Sequence, residues 1–276
     1  MKRYKLTIAY DGTAYCGWQR QRPPTPTVQL EVEKAAGIIV SHPVIVNGSS
    51  RTDTGVHAFG QVAAMNLESS LDTETLRRAI NSRLPSDILI RTMEEVPADF
   101  DVRTAVKKRY RYLLWAAKDR PVFYRHYVYH FYRDLNLPAM QEACQHFVGT
   151  HDFEAFKGQA DERENSVRTI FACDIHRSRG TSPLIIFSVQ GSGFLYHMVR
   201  TMVGTALAVG TGHWEHSRIP TILASKDRKQ AGPCVPAVGL QLQWIKFAAD
   251  DAPSAPPAPP SPTSSPAPAR PDSATH

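Results

Sequence analysis

The stretch Ser49 to Asn66, SSRTDTGVHAFGQVAAMN, holds one carboxylate, Asp53, with Arg51 two residues before it and Gly55 two after. A simple turn accounts for the Asp and the Gly, because both relieve backbone strain and Asp can accept its own downstream N–H groups. The apolar run QVAAMNL follows almost at once, however, so the turn delivers the chain into a strand that should be buried. An acid at such an edge is partly desolvated, and Arg51 becomes a plausible partner for it. Ion-pair networks and catalytic acids share this signature, so the residues by themselves leave a brace and a reactive group both open.

Three further stretches carry usable chemistry. In AYDGTAYCGWQRQRP, Ala9 to Pro23, a strand runs into a turn at Asp11 and Gly12 and then into Trp18, Gln19 and Arg20. Arg and Gln in a loop can hold phosphates and bases. Trp18 reads better as a core anchor, whereas Arg20 is a candidate RNA contact. In RTAVKKRYRY, Arg103 to Tyr112, a strand would put Tyr110 and Tyr112 on one face and Arg109 and Arg111 on the other. A cleft-facing Tyr can stack on an unstacked base, and Lys107, Lys108 and Arg109 are candidate phosphate contacts, although strand tyrosines also serve packing alone. In GSGFLYHMVRTMVGTALAVG, Gly191 to Gly210, Phe194, Met198, Thr201, Met202, Thr205 and Val209 form a helical core stripe. Arg200 is the exception, a cation in an apolar run, and Asp53 is a candidate partner for it.

The elements that must position these groups alternate along the chain. Strands are predicted in RYKLTIAY, PVIVNG, QVAAMNL and DILIRTMEEV, with helices in TVQLEVEKAAGIIV, opened by Thr27, and DTETLRRAINSRL, capped by Asp72. The second half repeats the grammar: strands in KRYRYLLWAA, VRTIFACDIHR, LIIFSVQG and GLQLQWIKF, helices in LPAMQEACQHFVG, FLYHMVRTMVGTALAVG and RIPTILAS. The expectation is an α+β protein of two similar halves, 1–105 and 106–248, with mixed or antiparallel sheets flanked by helices and a site in the cleft between them.

Residues 249–276 differ in kind. Nine prolines among Ala and Ser cannot repay the entropy of folding, so a disordered tail is expected there. That tail carries three acids and one base, a net −2, so the body carries +8 while the whole chain is formally +6. A basic body suits an anionic partner, nucleic acid first. Four scattered cysteines form no C-x-x-C pair, and the paired histidines lack a metalloprotease context, so neither metal nor disulfide is expected. No phosphate loop, dinucleotide fingerprint or G-x-S-x-G elbow occurs. No run of eighteen apolar residues is present and Met1 opens into a strand pattern, so a cytoplasmic protein without membrane contact is expected.

Taken together, these stretches resemble the tRNA pseudouridine synthase A family. YDGTAYCGWQRQ is similar to its N-terminal signature and RTDTGVHA to its R-T-D-x-G-V-H motif, and KRYRY, HDFEAF, FLYHMVR with MVGT, and VPAVGL follow in family order over about residues 3 to 247. The resemblance implies the pseudouridine synthase fold and a cofactor-free isomerisation in which uracil leaves its ribose, turns and rejoins through carbon. It implies Asp53 as the catalytic nucleophile, Arg200 paired with it, and Arg51 and His57 from the same motif at the RNA. Tyr110 would stack on the flipped base and take the C5 proton. It implies tRNA as partner, action at anticodon-arm positions 38, 39 and 40, where flipping is least costly near a loop, and a homodimer with RNA touching both subunits. Two departures bear on RNA contacts. FDVRTAVKKRY is one residue shorter than the family spacing, which affects Phe100 to Arg103, and the loop KGQADERENS is acidic where RNA contacts would be expected. Two rivals remain: a non-catalytic RNA-binding or chaperone protein in which Asp53 only braces its loop, and a related synthase with another RNA target.

Overall fold

A computed structural model describes residues 1–22, 24–180 and 182–251; the expected tail lies outside the described residues from 252 onward. The first half supplies β1 (Lys2–Tyr10), α1 (Val28–Val40), β2 (Val46–Gly48), β3 (His57–Leu67), α2 (Thr73–Asn81) and β4 (Ile88–Val96). The second supplies β5 (Lys107–Ala116), β6 (Tyr129–Phe131), α3 (Leu137–Gln145), β7 (Gly149–Asp152), β8 (Val167–Arg177), β9 (Leu184–Gly191), α4 (Met198–Gly210), α5 (Arg218–Ser225) and β10 (Leu240–Lys246).

The two halves share one sheet rather than owning one each. Its order is β4-β1-β3-β10-β5-β9-β8-β7, with β2 beside β3 and β6 beside β5. The last strand joins the halves: β10 runs parallel to β3 and antiparallel to β5, covering two edges that would otherwise present unpaired backbone. Register then draws one buried row across both halves, Tyr10, Ala58, Leu242, Tyr110, Val189 and Cys173. Helix α2 packs on β4, α3 on β8, and α4 on α3 and β5, all in one hydrophobic cluster with that row.

Local chemistry explains most of the elements. Asp72 caps α2 by accepting from Glu74 N–H and Thr75 N–H, as its place before the helix requires. The helical spacing predicts a buried stripe of Val28, Val32, Ala35, Ala36 and Ile39 on α1; the first four are buried and Ile39 is half-buried. Trp18 is 1% exposed, a core anchor as read from the sequence. Four expectations change. The predicted strand PVIVNG shortens to Val46–Gly48, and β6 and β7 were not anticipated, each being too short to show alternation. Helix α4 begins at Met198, not Phe194, because His197 takes a left-handed φ of 62°. Residues 249–251 end the body in a turn, where Asp250 accepts from Phe247 N–H at 2.7 Å and lies 3.6 Å from Lys5. Among the described residues, no helix is long and apolar enough to cross a membrane.

Candidate active site

The Asp53 loop is held from below by the segment after β1. Trp18 N–H donates to Thr52 C=O at 3.1 Å, Gly55 N–H to Tyr15 C=O at 3.3 Å, and Val56 N–H closes a turn onto Asp53 C=O at 3.1 Å. Two glycines allow this approach. Gly17 has φ 87°, and a Cβ on it would lie 2.5 Å from Thr52 O; a Cβ on Gly12 would lie 2.1 Å from Val56 O. Beneath the loop, Tyr10 Oη and Thr52 Oγ1 share a buried hydrogen bond of 2.7 Å.

Asp53 sits at the wall of a cleft of about 1560 Å³. Arg200 Nη1 donates to Asp53 Oδ2 at 3.0 Å, across 147 residues of chain, and both side chains are largely buried. Arg200 Nε donates to Val235 C=O at 2.7 Å, so two bonds fix the guanidinium. His197 Nε2 stands 3.6 Å from the same Oδ2. Its imidazole is held below the ordinary range by burial first, with Asp53 opposing and Arg200 adding to the depression. Asp53 Oδ1 takes no hydrogen bond among the described residues.

Tyr110 reaches the cleft from β5, with its ring edge-on to Phe194 at 5.2 Å. Its hydroxyl lies 2.9 Å from Ser50 Oγ. Burial pushes the phenol up to about 12, Ser50 offsetting part of that shift and the Asp53 charge adding to it. Gln61, fully buried in β3, clamps Ser50 from both sides: Nε2 donates to Ser50 C=O at 2.6 Å and Oε1 accepts Ser50 N–H at 3.2 Å.

The remaining predicted residues divide between the cleft and other places. Arg51 is exposed in the cleft with no protein partner among the described residues. Lys108 lines it too, with Nζ donating to Ser49 C=O at 2.7 Å. Arg103 is at its rim, ion-paired with Asp101 at 2.7 Å. The others do not line it. The strand alternation that points Lys108 and Tyr110 inward turns Lys107 and Arg109 to the opposite face, where Lys107 lies over Phe171 and Arg109 donates to Ser188 Oγ. Arg20 instead pairs at 2.9 Å with Glu33, whose side chain is 5% exposed. His57 is buried; in the neutral ring Nδ1 accepts Gly12 N–H and Nε2 donates to Val238 C=O, so it braces the two loops.

Sequence reasoning missed Ser50, Gln61, His197 and Asp161. A signal existed for Gln61, a polar residue leading an apolar strand, since buried polar groups need partners. Asp161 belongs to the acidic loop, but its carboxylate is turned inward, accepting from Tyr196 N–H at 2.7 Å and from Arg163. Those bonds outweigh burial and hold its carboxyl well below the usual range. They fix the Phe194 to His197 turn that presents His197 and Arg200.

This geometry meets clear relatives. The tRNA pseudouridine synthase family profile matches residues 6–104 and 143–248. The chain is 43% identical over 248 residues to tRNA pseudouridine synthase A 2 of Clostridium perfringens, covering 90% of this chain and all of that one. It is 43% identical over 243 residues to tRNA pseudouridine synthase A of Caldicellulosiruptor saccharolyticus, covering 88% and 98%. The same identity holds over 253 residues with the protein of that name from Geobacillus kaustophilus, covering 91% and 96%. Among solved structures, one titled "Structure of H/ACA RNP bound to a substrate RNA containing 2'-deoxyuridine" overlaps 76% of this chain and 54% of its own, at 15% identity and a TM-score of 0.34, too slight a likeness to inform the site. Identity of this degree over nearly the whole of its relatives, with a family profile matching both halves, places the chain in the tRNA pseudouridine synthase A family, as an isomerase acting on tRNA.

Proposed function

We propose that this protein converts uridine to pseudouridine at positions 38, 39 and 40 of the tRNA anticodon arm, with Asp53 as the nucleophile. The supporting observation is the division of labour on the carboxylate of this cleft-lining residue, where Arg200 occupies Oδ2 and Oδ1 takes no hydrogen bond among the described residues. A carboxylate fixed through one oxygen keeps the other aimed at substrate, which is how an activated nucleophile is presented. The cleft exceeds what one small ligand needs, leaving room for a flipped nucleotide and its neighbouring backbone.

In this reading Arg51, unpaired among the described residues and exposed in the cleft, meets RNA phosphate or base as the target uridine leaves its stack. Asp53 engages the nucleoside, the N1–C1′ bond breaks, the uracil turns, and C5 bonds to C1′. Tyr110 stacks on the base and takes the C5 proton, while N1 gains one. Atoms and charge balance without an external reagent. Lys108 and Arg103 line the same cleft and serve as phosphate contacts, whereas Arg20, Lys107, Arg109 and His57 act by bracing or lie on other surfaces. A homodimer in the cytoplasm belongs to the same reading.

The test is tritium release from tRNA carrying C5-tritiated uridine, with EDTA present, for wild type and Asp53→Ala. Release by wild type and none by Asp53→Ala, with tRNA still bound, is the expected result. Binding without release by either protein would instead favour a non-catalytic RNA-binding protein. Moving the uridine along the anticodon arm maps the positions.

A further inference from the structure

Tyr110 poses a proton problem. At working pH its phenol is neutral, because burial pushes it up to about 12. A neutral hydroxyl takes the uracil C5 proton only if it hands its own proton on. Its one hydrogen-bond partner among the described residues is Ser50 Oγ, at 2.9 Å. Ser50 itself lines the cleft and is half-exposed.

We propose that Ser50 is a positioning residue for base deprotonation: its hydroxyl orients the Tyr110 hydroxyl and receives the proton Tyr110 releases on taking the one from C5. This rests on the reading of Tyr110 as proton acceptor. The step balances. After C5 bonds to C1′, the C5–H electron pair becomes the C5–C6 double bond and the N1–C6 π pair moves to N1. The C5 proton goes to Tyr110 Oη, the Tyr110 proton to Ser50 Oγ, and the Ser50 proton to cleft water, while water protonates N1.

The surroundings suit a relay. Gln61 holds Ser50 through its backbone N–H and C=O, not through its hydroxyl. The side chain therefore stays where the loop puts it, and its loss leaves the clamp intact. Nearby Lys108 Nζ donates to Ser49 C=O and fixes the residue before it. Tyr110 is held laterally by Phe194, so the hydroxyl direction is the freedom that Ser50 removes.

The experiment uses the full chain with tRNA carrying uridine deuterated at C5. Ser50→Ala is expected to lower kcat about tenfold, within the range general acid–base groups contribute. Its C5-deuterium isotope effect on kcat should exceed that of wild type, because deprotonation becomes rate-limiting, while KM for tRNA is unchanged. Ser50→Thr keeps a hydroxyl and should restore most of the rate. A Ser50→Ala enzyme with wild-type kcat and isotope effect, or with a raised KM and no change in isotope effect, overturns the relay. Tyr110→Phe separates the two ideas. Wild-type turnover in Tyr110→Phe removes the Tyr110 reading and the relay together, whereas an impaired Tyr110→Phe beside an unimpaired Ser50→Ala removes the relay alone.

Discussion

Lys108 gives the protein a pH dependence whose sign can be worked from its surroundings. Burial lowers its ammonium from 10.5 to about 8, with the Arg163 charge adding to the depression. Between those values the unfolded chain holds the proton and the folded chain does not, so stability rises with pH through that window. Below about pH 8 the folded protein carries the full cost of a desolvated charge. Linkage between the two values makes wild type gain about 2 kcal/mol from pH 7 to pH 9.5, reduced to about 1–2 kcal/mol because the side chain is only partly buried. Lys108→Met lacks this titration, and the other titrations are common to both proteins and cancel. The melting temperature of wild type should therefore rise relative to Lys108→Met by about 2–8 °C over that interval, read by thermal unfolding in matched buffers. An RNA phosphate beside Lys108 restores its proton, so wild-type affinity for tRNA should also weaken above about pH 8 while that of Lys108→Met stays flat. Parallel melting curves for the two proteins across pH 7 to 9.5 would refute the argument, since they would mean that Lys108 is solvated like a surface lysine.

Two further perturbations test how the loop is held. Gly12→Ala places a Cβ 2.1 Å from Val56 O, backbone against backbone, so the Asp53 loop must shift by on the order of 1 Å. Turnover in the tritium-release assay should fall about 100-fold with tRNA affinity little changed, and wild-type turnover would show that the loop tolerates the shift. Arg20→Ala removes the cationic partner of the buried Glu33 carboxylate, which keeps its bonds from Gln29 Nε2 and Val46 N–H. Because Arg20 is half exposed, the cost should be about 1 kcal/mol, or about 2–4 °C in melting temperature, and the salt dependence of tRNA binding should not change. A shallower salt slope would return Arg20 to the RNA interface.

The strand pattern of KRYRY shows how far sequence carried the site. Alternation at period two separated Tyr110 and Tyr112 from Arg109 and Arg111, and the structure keeps that separation. The same rule, carried one residue back, divides Lys107 from Lys108, yet composition alone made both look like phosphate contacts. Arg200 stood out as a charge in an apolar run, and burial forced it to find a partner. Phe194 read as part of a helical stripe, but the left-handed His197 keeps α4 from starting before Met198 and leaves Phe194 against Tyr110. No periodicity encodes that break, because it depends on the backbone bonds that Tyr196 makes to Asp161 and Gly158.

By itself the sequence determined the types of the longer elements, most of their buried faces, the family and the position of the lone acid in its loop, because propensity, periodicity and motif order are written in local spacing. The tertiary structure alone decided that β10 joins both halves into one sheet, that Arg200 meets Asp53 across 147 residues, and that Ser50 meets Tyr110 across 60. Those are long-range pairings, set by how strands choose neighbours and by which buried polar groups find one another, and no local pattern fixes either.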